Sequence, residues 1–269
     1  MKDFVIRNKN NIWYGIFPAL ERAGFIHACS CRLHGDSAIV PGTLNLALHV
    51  GDDMEMVLHN RKAFAEAVGV EASCFTTCQQ IHGSKVVQVT EDLIGSGAFD
   101  FATTVSETDA LITNIPNVPL LLFYADCVPV LLADTETGAI GLVHAGWRGT
   151  VAHITFKTVA AMVEAFGTNP QHLLAAIGPS IGSCCYEVDD VVREQAKGYE
   201  EFFLDKGDGK YQLDLWGMNS KQLKEAGVSA ENIVVSGVCT NDNYRLFCSY
   251  RADQGKTGRM GVCLCAATR

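Results

Sequence analysis

Residues 125–150 read ADCVPVLLADTETGAIGLVHAGWRGT. Two apolar runs, 128–134 and 139–144, flank a segment from Asp134 to Gly138 whose residues suit a tight turn, so the stretch is read as a β-hairpin. The second run ends on His144, and Gly146, Trp147, Arg148 and Gly149 follow at once. A strand that only had to stop could use any turn residue. An imidazole beside two glycines, which allow close backbone approach, asks for a chemical reason.

The hairpin supplies one. Centring the turn on Glu136 sets Val128 opposite His144 with Cys127 beside the pair, and a shift of one residue opposes Cys127 and His144 directly. Opposed side chains have β-carbons roughly 4.5–5.5 Å apart. That spacing lets a thiolate and an imidazole share one ion bound about 2.3 Å from sulfur and about 2.0 Å from nitrogen. A bulge near Pro129 can correct a mismatch of faces. The third ligand is assigned to His82 in CQQIHGSKVVQV, which also borders a glycine and leads into a strand. His82, Cys127 and His144 leave a tetrahedral zinc one open position, the form of a catalytic site. The helix expected after His144 offers free N–H groups, and Arg148 adds a planar fork, so an oxyanion is expected beside the metal. His49, His59, His153 and His172 lack a ligand-like context and are read as surface or satisfied histidines; His27 and His34 are left open.

The bulk numbers limit the alternatives. The 269 residues are 48% hydrophobic and 19% charged, the composition of a soluble globular protein with a sizeable core. No run approaches the length of a membrane span, and MKDFVIRNKNNIWYGIF lacks the features of an export signal, so a cytoplasmic protein without membrane partners is expected. A net charge of −9 without a basic cluster argues against nucleic acid. Eleven cysteines, an odd number without an export signal, are read as mostly reduced thiols. The pairs Cys29/Cys31 and Cys263/Cys265 then act as small apolar residues on one strand face. Adjacent Cys184 and Cys185 are not expected to bridge.

Further strands are read at 24–31, 85–90, 109–113, 119–125, 173–178, 232–238 and 261–266, and helices at 53–69, 150–167, 189–199 and 215–227. No repeat or linker divides the chain, so residues 1–269 are expected to form a single α+β domain, with 94–108 an insertion or mobile loop.

ADCVPVLL and HAGWRGT, with QIHGSKV, TDALIT, AAIGPSIGSCCYEV, CT and SYRAD…TGRM in order around them, resemble the YfiH/YlmD-like proteins. That family was first labelled laccase-domain polyphenol oxidases and later understood as purine nucleoside phosphorylases. The similarity runs from about residue 25 to 262. It implies zinc held by His82, Cys127 and His144, and mixed β-sheets packed together and flanked by helices in α/β/β/α layers. It also implies phosphorolysis of adenosine, inosine and S-methyl-5'-thioadenosine, with an adenosine deaminase activity. Substrate contacts implied are Arg32, Asn45 and Arg251. The family's early T-x-R-x-G-G-x-S motif appears as CSCRLHGDS, with His34 in place of the first glycine; FCSYRAD carries Cys248 for the usual Phe and Ala252 for a second Arg.

The expected mechanism has phosphate, held by Arg148 and Arg32, attack the anomeric carbon of a bound nucleoside. Asp126 either orients a ligand, shuttles a proton or is a buried structural carboxylate. Three rivals stand beside this reading. One is phenol oxidation by copper in the same site, since eight histidines without an H-x-H pair cannot build a four-copper laccase. Another is a cysteine hydrolase with Cys127 as nucleophile and His144 as base; the last is a metal-dependent binding module without turnover. The oligomer is expected to be a monomer or homodimer.

Overall fold

The computed structural model describes residues 3–267. Both runs of the hairpin are strands, Val128–Asp134 and Ile140–Ala145, and every residue in them is buried. Burial on both faces is why neither run alternates with polar residues. Leu131, Ala133, Ile140 and Leu142 point into one apolar cluster with Leu111, Leu120, Leu122, Val262 and Leu264. Val128, Val130, Leu132 and Val143 point into a second, with Ile154, Val159, Met162 and Leu223.

The hairpin lies at the centre of a six-stranded sheet in the order Ile233–Val235, Leu173–Ile177, Val128–Asp134, Ile140–Ala145, Ala110–Thr113, Val86–Gln88. A five-stranded sheet in the order Val5–Lys9, Ile12–Ile16, Phe25–Ser30, Met260–Ala266, Leu120–Tyr124 packs against its inner face. Helices Ile154–Phe166 and Leu215–Glu225 cover the outer face of the first sheet. Helix Met54–Val68 covers the second, its Phe64 and Ala65 meeting Leu121, Phe123 and Cys263. The order is therefore helix, sheet, sheet, helix, the α/β/β/α layering of an α+β fold. A small third sheet, Glu187–Asp189, Lys210–Leu213 and Phe203–Gly207, was not foreseen, nor were the two N-terminal strands, whose sequences are too polar or too short to stand out. All eleven cysteines are free, and Cys29, Cys31, Cys263 and Cys265 are buried as apolar residues.

Three local expectations are corrected. The hairpin register pairs Pro129 with His144 and Val128 with Ala145, one residue away from the pairing drawn from the turn and opposite in sense to the shift that would oppose Cys127 and His144. The helix read over 150–167 is divided: Trp147–Val151 and Ile154–Phe166 are separated by His153 at φ 61°. The division follows from buried partners, because the Thr150 carbonyl accepts from Gln222 Nε2 at 2.7 Å and Asn219 Nδ2 donates to Thr150 Oγ1 at 3.2 Å. Each helical piece is thereby free to follow its own contact surface. Residues 94–108 are irregular but anchored: Arg61 Nη1 donates to the carbonyls of Gly97 and Ala98 at 2.6 and 2.7 Å, and Val105 bonds through its own N–H and carbonyl to Thr77 and Gln79.

Arg61 is 2% exposed and donates to three backbone carbonyls, the third that of Leu46. Arg61→Met strands those acceptors, so a loss of about 3 kcal/mol is expected in urea unfolding, with faster amide exchange across 94–108. Unchanged exchange there would show that the loop is held by something else.

Candidate metal centre

Strand pairing brings Asp109 and His144 together before any metal is considered. Ala110 pairs with Val143, so the next residues outward, Asp109 and His144, are cross-strand neighbours, and the His144 N–H donates to the Asp109 carbonyl at 2.7 Å. Their side chains meet on the inner face, His144 Nδ1 lying 2.8 Å from Asp109 Oδ1. The Asp109 carboxylate also accepts from the N–H groups of Ile81, His82 and Gly83 at 3.2, 3.0 and 2.7 Å. One buried anion thus fixes the His144 ring and folds the His82 loop over it. Burial works against ionisation of Asp109, but His144 and these N–H donors outweigh it and hold the carboxyl below its ordinary range.

The His82 loop is tied from its other side. Gln80 donates through Nε2 to the Phe123 carbonyl and accepts from the Phe123 N–H, at 2.8 and 2.9 Å, as a strand neighbour would. His82 itself takes a left-handed φ of 60°. The glycines after His144 make this possible. A β-carbon on Gly149 would lie 2.7 Å from the Gly83 carbonyl oxygen, and one on Gly146 would lie 3.0 Å from His82 Cδ2 and 3.1 Å from Cys127 Sγ. The motif HAGWRG is therefore glycine-spaced because a second loop and two of the donor side chains occupy the room that β-carbons would fill.

Cys127 arrives by a bend rather than by cross-strand opposition. It precedes the strand that starts at Val128, and Asp126 before it has φ 83°. The bend is held by the Asp126 carboxylate, which accepts from Thr240 Oγ1 at 2.6 Å and from the Arg251 N–H at 2.7 Å.

The donor atoms of His82, Cys127 and His144 all lie within 4.8 Å of one another, a spacing one metal ion can span. His82 is exposed, Cys127 intermediate and His144 buried, so the group opens toward solvent on one side. With Nδ1 of His144 committed to Asp109, Nε2 is its available donor, the arrangement typical of a metal-ligating histidine held by a carboxylate. Burial disfavours the Cys127 thiolate, yet His144 and His82 draw its pKa down to about 6, while Cys127 and Asp109 raise His144 to about 9 against its own burial. Two imidazoles around one thiolate are the chemistry of a cation site. The residues fit a bound metal on geometry and on donor type alike.

Around this group lie cations that the chain's net charge conceals. Arg148 is exposed and stacks on Trp147, its Cζ 4.3 Å from the ring centroid. Tyr186, pushed up by burial, also feels the charges of Cys127, Arg251, Asp126 and Arg148, and Arg251 Cζ lies 5.5 Å from its ring centroid. Arg259 is half-buried and feels Cys127 as well. His49, read from the sequence as lacking a ligand-like context, borders the same region. Although exposed, it packs on Phe101 and Phe123, and partial desolvation by these neighbours, with Arg259, Arg61, His144 and His82, lowers it to about 4. Arg251 is the third substrate contact that the family resemblance implies, whereas Arg259, Tyr186 and Asp109 carry no role in the sequence reading; all four lie within the motifs, but only tertiary contacts relate them to one another.

Arg32 and Asn45 sit further back in the scaffold. Arg32, 7% exposed, donates through Nη1 to the Tyr244 carbonyl and to Asp253, both at 2.8 Å. Asn45 is fully buried; its amide donates to Ala47 O and Asp52, and its oxygen accepts from the N–H groups of Ala47 and Arg259.

The family described as multi-copper polyphenol oxidoreductase laccase matches residues 26–267. The chain belongs to this laccase-domain family. A relative from Geobacillus stearothermophilus, named purine nucleoside phosphorylase YlmD, is 40% identical over 243 residues, covering 88% of this chain and 89% of the relative. A Deinococcus radiodurans purine nucleoside phosphorylase is 41% identical over 236 residues, covering 87% and 86%. The crystal structure of Bacillus licheniformis YfiH superposes with a TM-score of 0.92 at 34% identity, covering 97% of this chain and 98% of that one. Among the described residues no helix of this laccase-domain chain is long and apolar enough to cross a membrane.

Loss of the carboxylate behind a ligating histidine typically costs 10–100-fold in metal affinity. Asp109→Asn is therefore expected to weaken Zn2+ binding at the triad by about that factor in competition with a chromophoric chelator. Gly146→Ala is expected to weaken it at least tenfold, since its new methyl presses on two donors. Wild-type affinity in both variants would separate these residues from the metal centre.

Proposed function

We propose that the protein is a zinc-dependent purine nucleoside phosphorylase, with Zn2+ held by His82, Cys127 and His144. The observation that carries the proposal is the convergence of these three donors on a site open to solvent on one side, with Arg259 near enough to feel Cys127 and with Arg148 and Arg251 near enough to bear on Tyr186. The names of the relatives agree with it. When bound, the metal would supply Lewis acidity to a substrate group at its open position.

The protein's own groups do the rest. Arg148, its guanidinium braced on Trp147, holds inorganic phosphate, joined by Arg251 and Arg259; Arg32 acts by fixing Asp253 and the segment that bears Arg251. Asn45 presents Arg259 by accepting its backbone N–H. Asp126 holds the bend that delivers Cys127. A phosphate oxygen forms the new bond to the anomeric carbon as the bond to the purine nitrogen breaks, and the electron pair leaves with the purine, which takes up a proton. Holding the anion against the positive charge that develops on the sugar lowers the barrier by position and by electrostatics. Adenosine, inosine and S-methyl-5'-thioadenosine are the proposed nucleosides, and deamination of adenosine the accompanying activity. The site acts on small molecules in the cytoplasm, with the chain a monomer or homodimer.

The depressed Cys127 thiol beside His144 specifically favours one second reading, a cysteine hydrolase. It differs in outcome: hydrolase activity survives chelation and needs no phosphate. Copper in the same donor set would instead give phenol oxidation, which activity assays of zinc- and copper-loaded protein distinguish.

Purine release from adenosine, inosine and S-methyl-5'-thioadenosine, followed chromatographically with and without phosphate, tests the proposal. Wild type should form base and sugar 1-phosphate only when phosphate is present, and Cys127→Ala should lose at least ~100-fold in kcat/KM, about 2.7 kcal/mol of transition-state stabilisation. Equal turnover by both proteins rejects the metal centre. Arg148→Ala should raise the KM for phosphate about tenfold or more with a smaller change for the nucleoside; the reverse pattern removes Arg148 from the phosphate subsite.

A further inference from the structure

A second group of soft donors lies outside the triad. Cys184 and Cys185 stand in the turn after Gly182, and Cys239 and Asp242 come from a segment more than fifty residues later in the sequence. Their four ligand atoms all fall within 4.8 Å of one another. Cys184 Sγ donates to Asp242 Oδ2 at 3.2 Å and Cys185 Sγ to Asp242 Oδ1 at 3.0 Å, so two adjacent thiols are turned toward one carboxylate. The turn arranges this, because the N–H groups of Cys185 and Tyr186 both bond to the Gly182 carbonyl at 3.0 Å. Cys239 comes from beneath, buried, and its sulfur accepts from the Gly182 N–H at 3.4 Å. Gly182 has no room for a side chain: a β-carbon there would lie 3.2 Å from Cys184 Sγ and 3.4 Å from Cys239 Cβ.

We propose that Cys184, Cys185, Cys239 and Asp242 form a second Zn2+ site, closed and structural, separate from the triad. Three sulfurs and one carboxylate oxygen complete a tetrahedron with protein donors alone, unlike the three-donor group at His82, Cys127 and His144. A zinc ion about 2.3 Å from each sulfur sets neighbouring sulfurs roughly 3.8 Å apart, within a small contraction of the present spacing. Binding replaces the S–H contacts to Asp242 with metal–thiolate bonds and releases the thiol protons to solvent. Cys184 and Asp242 are exposed, which gives the ion an entry path. These four residues differ in kind from the strand cysteines: Cys29, Cys31, Cys263 and Cys265 are dispersed in apolar layers, whereas this set gathers around an anionic oxygen.

The site cross-links two segments that brace the catalytic bend. Thr240, next to Cys239, donates to the Asp126 carboxylate, and the Ile181 N–H donates to the Asp126 carbonyl at 2.9 Å. Zinc between Cys184, Cys185 and Cys239 would therefore stiffen the frame that presents Cys127.

The test is metal stoichiometry on full-length protein that has been fully reduced, its thiols counted, then stripped and reloaded with Zn2+ alone. The variant His82→Ala/Cys127→Ala should still retain about one equivalent of zinc, and adding Asp242→Asn with Cys184→Ser, both at exposed positions, should abolish it. With Co2+ in place of zinc, the His82→Ala/Cys127→Ala protein should show thiolate-to-metal charge-transfer absorption that disappears in the fourfold variant. The proposal is overturned if the reduced His82→Ala/Cys127→Ala protein retains no zinc, or retains it undiminished in the fourfold variant. Because this readout omits the triad, it stands or falls separately from the phosphorylase reading.

Discussion

Asp109 is the residue on which the centre depends. Its side chain is wholly buried, and its carboxylate takes one imidazole and three consecutive backbone N–H groups from a separate loop. Without it, Ile81, His82 and Gly83 would lose the acceptor for their N–H groups, and the His144 ring would lose the bond that sets its tautomer and plane. A buried carboxylate is tolerated only when such donors surround it. The same four bonds that keep Asp109 charged therefore bring two histidines from distant parts of the chain face to edge, with ring centroids 4.9 Å apart. Packing closes what the carboxylate begins, since Gly146 and Gly149 permit the contact only by having no β-carbon.

This division of labour sets what could be read in advance. The hairpin, its buried character and the chemical weight of His144, Cys127 and His82 are legible because each is written locally, as an apolar run, a turn or a residue type beside glycine. The register is not. The turn from Asp134 to Gly138 closes with Asp134 capping the N–H groups of Glu136 and Thr137, and this adds an offset that counting from the middle of the loop misses by one residue. Had cross-strand opposition been the device that joins Cys127 to His144, that error would have separated them. The bend at Asp126 makes the join instead, and a left-handed aspartate held by a threonine more than a hundred residues later leaves no local trace. The helix break at His153 is similar: the periodicity continues through it, and only the buried amides of Asn219 and Gln222 interrupt it.

Charge shows the same contrast between sum and place. A chain with net charge −9 repels anions at long range, yet Arg259 feels Cys127 of the candidate metal centre, and Arg148 and Arg251 bear on neighbouring Tyr186. Field at a site is set by the nearest groups, because charges beyond a Debye length of about 8 Å are largely screened at physiological salt. The acidic balance thus disfavours an extended polyanion, which needs a broad basic face, without disfavouring a single small anion such as the phosphate proposed above. Arg259 illustrates the cost of such placement: half-buried, it is lowered by desolvation and supported in return by acidic groups near it, Cys127 and Asp126 among them.

The bend at Asp126 carries a constraint in both directions. Its carboxylate serves Thr240 and Arg251 at once, so the residue that turns the chain toward Cys127 also fixes the backbone at Arg251. A change that freed Thr240 would leave Asp126 with an unpaired buried oxygen, and the chain could relieve that only by moving the bend, Cys127 with it. The cysteine cluster sits immediately beside this pivot, at Cys239 on one side and the 181–186 turn on the other. The arrangement concentrates positional control of the thiolate in a region that contributes no ligand to the triad. Substitutions at Thr240 or Gly182 should consequently act on the centre through geometry, not through lost donors.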